Sequence, residues 1–320
     1  MTRRHLAAAL VVVLVWGVNF VVIEVGLRST PPILLAALRF TLVAVVGVWF
    51  VPRPVLPCTR LVALALGLYV GQFALLFTAM SRGLPAGLAA VVLQSQAVFT
   101  VVGAGLLLRE RPTRAQFAGV AVASCGLAVI GVERAGSVQA GPFLLAVGAG
   151  ASWAAGNLVG RRAGVTQGLS LVVWGSVVAA PPLALLAAWQ LGPGGVLPAI
   201  GRISGSGLLA LAYLAVLATV VGYGTWSSLI GRYPPAVVAP FTLLVPPIGL
   251  VAAWLALGET PTATELAGSV LVVAGLLLPQ VRRGARVRRG PQAPGVRRGA
   301  RAGRTAGGAP SGRVVGTTSR

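Results

Sequence analysis

Ten long apolar runs follow one another along this chain, separated by short polar segments. A membrane span needs about 20 apolar residues, so each run is long enough or nearly so. Polar and apolar residues do not alternate in them, and a backbone in lipid must satisfy its hydrogen bonds internally, so helices are predicted. The sequence therefore predicts an all-α integral membrane protein. The predicted spans are 6–27, 33–51, 61–80, 86–108, 115–132, 141–159, 168–191, 206–230, 235–257 and 263–280.

Composition supports this and argues against an enzyme. Of 320 residues 56% are hydrophobic, far above the share in a soluble domain, and the mean hydropathy is +0.89. The chain has one His (His5), no Asp, and two Cys far apart in sequence, Cys58 and Cys125. These residues cannot form a metal cluster or a hydrolytic triad. We therefore expect no metal, no cofactor and no enzymatic activity.

A stretch of the first half recurs in the second half. At an offset of 149 residues, Pro85 falls on Pro234 and Glu110 falls on Glu259. Each copy has a Pro, a long apolar run, a Glu-x-Pro-Thr turn and a second apolar run with two Gly seven residues apart. Matching residues at a fixed offset indicate a duplicated unit, which is typical of transporters in a strongly apolar chain.

The duplication predicts the domain organisation. Five spans in each half is an odd number, so the second half is expected to be inverted relative to the first, as two inverted five-helix repeats. We place the first repeat at 1–135 and the second at 136–280. Residues 281–320 are rich in Arg, Gly and Pro and are predicted to be a disordered tail.

The distribution of Arg predicts the orientation. All 26 basic residues are Arg; if the N-terminus is cytoplasmic, 21 lie in cytoplasmic segments, 4 in external loops and 1, Arg39, within a span. Because short cytoplasmic loops carry an excess of positive charge, both termini are predicted to be cytoplasmic. The tail contributes 11 of these Arg. It either reinforces the orientation as a solvated segment or contacts anionic lipid or nucleic acid.

Glu24 and Arg39 are charged residues within the first two spans, where charge is costly and usually faces protein or water. The short loop 28–32 makes these spans antiparallel, so the two side chains are expected at similar depth and could form a salt bridge. One interpretation is a pair that fixes the two helices together. The other is functional: Glu24 takes a proton or a substrate ammonium, and Arg39 holds a carboxylate.

Uncharged polar residues near the middle of the spans form a second group of candidates. Such side chains either hydrogen-bond a neighbouring helix or line a cavity. Three of them are consecutive, at 94–96, and cannot all face one partner, so at least one is expected to face a cavity. The candidates are Asn19, Gln72, Gln94, Gln96 and Asn157.

Trp and Pro residues add further candidates. Trp16 and Trp153 occupy matching places in the first span of each half, well inside the apolar runs rather than at an interface. They are predicted to line a small-molecule site. Pro246 and Pro247 remove two backbone donors from the ninth span and are expected to kink or break it near the middle, where transporter sites tend to lie.

Several short strings of this sequence carry a resemblance to a known family; they are 16–23, 31–32, 39–40, 84–89, 92–94, 152–153 with 156–157, 218–224, 231–233 and 243–246. They resemble the EamA family of the drug/metabolite transporter superfamily. The resemblance covers roughly 6–280, and implies ten helices in two inverted repeats and proton-driven efflux of small amino-acid metabolites across the bacterial inner membrane. The later strings are most similar to bacterial exporters of cysteine and O-acetylserine, and they include Tyr223 and Pro246. One departure is Glu24, where that resemblance leads us to expect Lys.

The first functional hypothesis is a secondary exporter of small zwitterions such as cysteine and O-acetylserine. Glu24 would accept the ammonium and Arg39 would bind the carboxylate, with neutral contacts from Gln94, Gln96 and Asn157. The partners implied are a small-molecule substrate, the lipid bilayer and a proton. The alternatives are an exporter of another drug or metabolite on the same fold, a membrane enzyme, and a scaffold whose Arg-rich tail binds a partner.

Overall fold

The structure is a computed structural model that describes residues 1–135, 140–164, 168–233 and 235–288. All regular secondary structure within these ranges is helical. We number the helices in chain order. They are α1 (Arg3–Leu27), α2 (Pro32–Gly47), α3 (Cys58–Ser81), α4 (Ala86–Leu107), α5 (Arg114–Ala135), α6 (Ala140–Arg162), α7 (Leu169–Leu191), α8 (Val196–Gly201), α9 (Gly205–Arg232), α10 (235–257) and α11 (Ala263–Arg288).

Each predicted span overlaps one of these helices. Among the described residues, eight helices are long and apolar enough to cross a membrane. Two other apolar segments, Pro32–Gly47 and Ala263–Leu278, are shorter. The all-helical membrane fold is therefore confirmed, whereas ten membrane crossings remain a prediction. The short helix α8 was not predicted.

Helix starts follow local sequence signals. Thr2 precedes α1 and its hydroxyl accepts a hydrogen bond from the backbone N–H of His5, and Ser204 precedes α9 and accepts one from Gly207 at 3.1 Å. Both satisfy a backbone donor that has no partner within the helix. Helix α2 instead begins with Pro32, whose missing N–H costs nothing in the first turn.

The last helix runs further than the predicted boundary of the tail. Helix α11 continues to Arg288, so the backbone of 281–288 is helical. Arg is a good helix former, and positive charge near a helix C-terminus interacts favourably with the helix dipole. Residues 289–320, which form the rest of the predicted tail, lie outside the described residues.

Helix irregularities recur at the repeat offset. Helix α3 contains a π-helical segment at Leu66–Gly71, and α9 contains one at Tyr213–Val221. Helix α4 is interrupted at 93–94, and α10 contains a 3-10 turn at Ala239–Leu244. An offset of 149 residues relates both pairs. Short π segments often occur at functional sites, so both copies are irregular where a cavity is expected.

The regular helix of α10 is interrupted near its middle and resumes at the prolines, in agreement with the prediction. The irregular turn Ala239–Leu244 comes before them, and the regular helix Val245–Leu257 begins with Pro246 and Pro247 in its first turn. There the missing N–H groups would have had no partner in any case, and the fixed φ of Pro favours a helix start. Their role is therefore to begin this helix.

Small residues allow α3 and α6 to pack closely. A Cβ added to Gly67 of α3 would lie 2.7 Å from the backbone N of Gly156 in α6. The Ser152 hydroxyl donates a hydrogen bond to the Gly67 carbonyl at 2.9 Å. Small side chains let two backbones approach and let a hydroxyl reach across. These small residues therefore bring α3 and α6 into close contact.

Candidate functional site

A cavity of about 690 Å³ lies between the helices of both halves. This is within the usual size of small-molecule sites, roughly 300–1,000 Å³. The cavity extends from mid-helix residues to Gln116 and Arg161, near helix ends; we call this the Arg161 end of the bundle. Nine of the eleven predicted site residues line it: Trp16, Asn19, Arg39, Gln72, Gln94, Gln96, Trp153, Asn157 and Tyr223.

Arg39 is the most constrained polar residue of the cavity. Its side chain is 3% exposed, and its Nε and Nη2 both donate to the Thr219 hydroxyl oxygen, at 3.2 and 3.0 Å. That hydroxyl donates its own proton to the Leu214 carbonyl at 2.7 Å, so its oxygen is free to accept from Arg39. The guanidinium carbon lies 4.5 Å from the ring centroid of Phe73. These contacts hold the guanidinium in one position.

No described residue of the cavity lining carries a negative charge that could balance the charge of Arg39. In the described part of the chain, Arg39 Nη1 has no hydrogen-bond partner, and the residues that line the cavity include Arg39 and Arg161 but no carboxylate. A buried charge is costly unless it is paired. A guanidinium with unused donors is well suited to bind a carboxylate. The cavity is therefore prepared for a ligand with a negatively charged group.

The predicted salt bridge between Glu24 and Arg39 is not formed. Glu24 is not among the residues that line the cavity. It lies close enough to Glu259 and Arg28 to interact with their charges. The reason is packing: α1 packs chiefly against α10 and α9, whereas α2 packs chiefly against α7, so α1 and α2 hardly touch although they are adjacent in sequence.

Aromatic residues form one wall of the cavity. Trp16 Nε1 donates a hydrogen bond to the Ala218 carbonyl at 3.0 Å. The Trp16 ring lies 5.1 Å from the ring of Tyr223 and 5.4 Å from that of Trp226, measured between centroids. These separations are typical of aromatic pairs. Trp16 is thus held inside the bundle, and its ring forms part of the cavity wall.

Amide side chains line another part of the cavity. Asn157 of α6 donates a hydrogen bond from Nδ2 to Gln96 Oε1 of α4 at 3.2 Å. Gln72 of α3 is only 6% exposed and also lines the cavity. Trp153 lies one turn before Asn157 on the same helix. Pro246 is buried outside the lining, although its neighbour Val245 belongs to it.

Three important residues of the site were missed from the sequence. Thr219 holds Arg39, Phe73 lies under its guanidinium, and Trp226 completes the aromatic wall. Thr219 and Phe73 are ordinary residues of apolar runs and carry no signal by themselves. A signal existed for Trp226, since it lies three residues after Tyr223 and therefore on the same face of α9.

Helices α4 and α10 close together at the opposite end of the bundle, which we call the Glu259 end. A Cβ added to Gly249 of α10 would lie 2.7 Å from the Cβ of Ala90 in α4. The Glu259 carboxylate accepts hydrogen bonds from the backbone N–H groups of Ala86 and Gly87, at 2.8 and 2.9 Å. The described structure therefore has a cavity that extends to the Arg161 end and close contacts between the two repeats at the Glu259 end.

Comparisons with known proteins agree with this architecture. The model of the EamA-like transporter family matches residues 4–132 and again 141–279. A crystal structure with a TM-score of 0.59 and 20% identity covers 88% of this chain and 99% of its own, which supports the fold alone.

Curated relatives are named as transporters. A "Probable amino-acid metabolite efflux pump" of Salmonella typhimurium is 43% identical over 300 residues, 90% of this chain and 99% of the relative. Its namesake in Escherichia coli is 39% identical over 87% of this chain and 95% of its own length. A "Probable terminal-alkyne amino-acid exporter" of Streptantibioticus cattleyicolor is 29% identical over 90% and 97%. The chain is a multi-pass membrane protein that belongs to the EamA-like transporter family.

Proposed function

We propose that this protein is a secondary active exporter of small amino-acid metabolites, with cysteine and O-acetylserine as substrates. The observation that carries the proposal is Arg39, a buried and fixed guanidinium with an unpaired Nη1 in a cavity whose described lining has no carboxylate. A substrate carboxylate would compensate that charge. The names of the Salmonella and Escherichia relatives, both amino-acid metabolite efflux pumps, support this substrate class.

The proposed mechanism is alternating access by two inverted five-helix repeats, with ten membrane crossings, in the bacterial inner membrane. The matched irregularities of α3 with α9 and of α4 with α10 support the repeat. The Arg distribution supports a cytoplasmic location for both termini and for the Arg161 end. In this orientation the structure corresponds to a cytoplasm-open state, with the outer side closed where Glu259 meets α4.

The repeat boundaries at 1–135 and 136–280, and the cytoplasmic tail at 281–320, belong to the same proposal. The tail is assigned to reinforcing orientation, with contact to anionic lipid as the other reading. Removing 289–320 is expected to leave transport intact, because every described residue of the cavity lining precedes that segment.

Export is proposed to be coupled to proton entry. No residue of the described cavity lining is a carboxylate, but Glu24 and Glu259 lie near each other at the Glu259 end. We assign the coupling proton to Glu24, a carboxylate within a membrane-spanning helix, so that its uptake from outside would accompany opening of the Glu259 end.

The test is flux in proteoliposomes that contain the full-length protein. Uptake and release of radiolabelled cysteine and O-acetylserine are measured with and without an imposed pH gradient. Stimulation of flux by the gradient, dependent on Arg39, is the expected result. Absence of flux for both compounds, with protein shown to be folded, would refute the substrate assignment.

A second candidate is an exporter of a larger drug or metabolite on the same fold. The cavity size favours it, because about 690 Å³ exceeds what one small amino acid fills and many lining side chains are apolar. A screen of larger carboxylate-bearing compounds in the same proteoliposomes separates the candidates. Preferred transport of a larger compound over cysteine would support the second.

A further inference from the structure

Two residues that line this cavity each carry a buried polar atom without a partner, and the two atoms are of opposite character. In the described ranges, five buried side chains have a nitrogen or oxygen atom without a hydrogen-bond partner: Asn19, Thr30, Arg39, Tyr69 and Ser95. Only Asn19 and Arg39 of these five line the cavity. The free atom of Asn19 is the acceptor Oδ1, and that of Arg39 is the donor Nη1. A buried polar atom without a partner is costly, so an unpaired acceptor and an unpaired donor in one cavity point to a ligand that supplies both partners.

Helix α9 connects the neighbourhoods of Asn19 and Arg39. Trp16 is hydrogen-bonded to the carbonyl of Ala218, and Arg39 is hydrogen-bonded to the side chain of Thr219, the next residue. Consecutive Cα atoms are about 3.8 Å apart. Asn19 lies three residues after Trp16 on α1, and residues so spaced have Cβ atoms about 5–6 Å apart. Asn19 and Arg39 thus line the same cavity on either side of contacts to consecutive residues of α9, and one ligand in this cavity could contact both.

The surroundings of Asn19 suit a cation. The Trp16 ring on the same helix packs against Tyr223 and Trp226, and all three line the cavity. Ring faces attract an ammonium group, most strongly in the case of Trp. Glu24, the expected ammonium acceptor, is absent from the lining. The ammonium of a ligand would then be bound by neutral groups, which avoids a carboxylate that would compete for Arg39.

We propose that Asn19 determines specificity by accepting a hydrogen bond from the α-ammonium group of a substrate whose carboxylate is bound by Arg39, with the Trp16 ring as a further contact to the ammonium. The inference rests on the proposed function and refines it. The substrate class is α-amino acids with a free ammonium group. Desamino or N-acylated carboxylates fit poorly, because they leave Asn19 Oδ1 without a donor or place an acyl group against the ring. Amines without a carboxylate are disfavoured by the positive charge of Arg39.

The test compares two ligands that differ only in the ammonium group. Binding of L-cysteine and of 3-mercaptopropionate to the purified full-length protein is followed by tryptophan fluorescence under reducing conditions. The wild-type protein is expected to bind cysteine at least about tenfold more tightly, in line with the discrimination of sites that hydrogen-bond a substrate group. Asn19→Leu should lose this preference by weakening cysteine binding alone. Asn19→Gln, which keeps a neutral amide acceptor, should retain part of it.

Ser95→Ala provides the matched control. Ser95 also has a buried oxygen without a partner in the described residues, but it does not line the cavity, so its loss should leave the preference unchanged. Equal binding of both ligands by wild-type protein, or a preference that survives in Asn19→Leu, would overturn the inference and leave the proposed function standing. Failure of folded wild-type protein to bind either ligand would overturn both.

Discussion

Glu259 and Gly87 join the two halves of the protein at the Glu259 end. The Glu259 carboxylate accepts hydrogen bonds from the backbone N–H groups of Ala86 and Gly87, at the first turn of α4. Those groups have no partner within the helix, and a carboxylate near a helix N-terminus is also stabilised by the helix dipole. The equivalent residue of the first repeat, Glu110, forms a salt bridge with Arg161. Glu259 thus connects the two halves at the Glu259 end. Its counterpart Glu110 lies at the Arg161 end, to which the cavity extends.

We expect Glu259→Gln to loosen the Glu259 end. The neutral amide offers one acceptor oxygen in place of two charged ones, and charge-assisted hydrogen bonds are roughly twice as strong as neutral ones. The measurement is labelling of Ala90→Cys, a residue of the cavity lining next to Gly249, by a membrane-impermeant maleimide added only on the side of the membrane that the Glu259 end faces. The background carries Cys58→Ser and Cys125→Ser. The labelling rate should rise several-fold.

The control for this experiment is Glu133→Gln. Glu133 also accepts a hydrogen bond, but its donor is the Thr262 hydroxyl at 3.1 Å, in the loop that follows α10, and not the first turn of α4. Its replacement should not alter labelling. Equal labelling rates in the parent and in Glu259→Gln would mean that these two hydrogen bonds do not hold the end closed.

Arg39→Lys is expected to lose most cysteine transport, and Arg39→Gln all of it. Lys keeps the charge but cannot donate to Thr219 and to a carboxylate in the fixed geometry of a guanidinium. Thr219→Val should have a smaller effect, about tenfold in KM, because Arg39 keeps its charge and its contact with Phe73 but loses its two hydrogen bonds. Initial rates of cysteine transport in proteoliposomes give the maximal rate and KM. Wild-type rates in Arg39→Gln would show that this residue does not contact the substrate.

Packing of α5 against α11 gives a prediction about stability. A Cβ on Gly126 would lie 2.5 Å from the carbonyl oxygen of Gly268, and one on Gly275 would lie 2.5 Å from that of Gly119. A backbone atom cannot move aside as a flexible side chain can. Gly126→Val is therefore expected to destabilise the protein by about 1–3 kcal/mol, the usual cost of overpacking. The Tm in detergent should fall, whereas Gly141→Ala, with nothing within 4 Å, should leave it nearly unchanged.

The sequence was most informative where a residue is out of place in lipid. Asn19, Arg39 and Gln72 stood out because a polar side chain in a span needs a partner, and all three line the cavity. The residues that these side chains contact were harder to predict than the site residues themselves. Arg39 was paired with Glu24 because their helices are sequential, but helix packing gives it Thr219 from the other half. That contact depends on the tertiary arrangement of the two repeats, which no local pattern encodes.

Glu24→Gln is expected to separate transport from its coupling. Glu24 lies near Glu259 and outside the cavity lining, so its neutralisation should leave cysteine counterflow, which needs no gradient, within about twofold of wild type. Accumulation of cysteine driven by a pH gradient should be lost, because the variant cannot take up a proton at this position. Both assays use the same proteoliposomes, with Glu133→Gln as the control carboxylate outside the pair. Loss of counterflow along with accumulation, in a folded variant, would assign Glu24 to substrate movement itself. Gradient-driven accumulation that persists would place the coupling proton elsewhere.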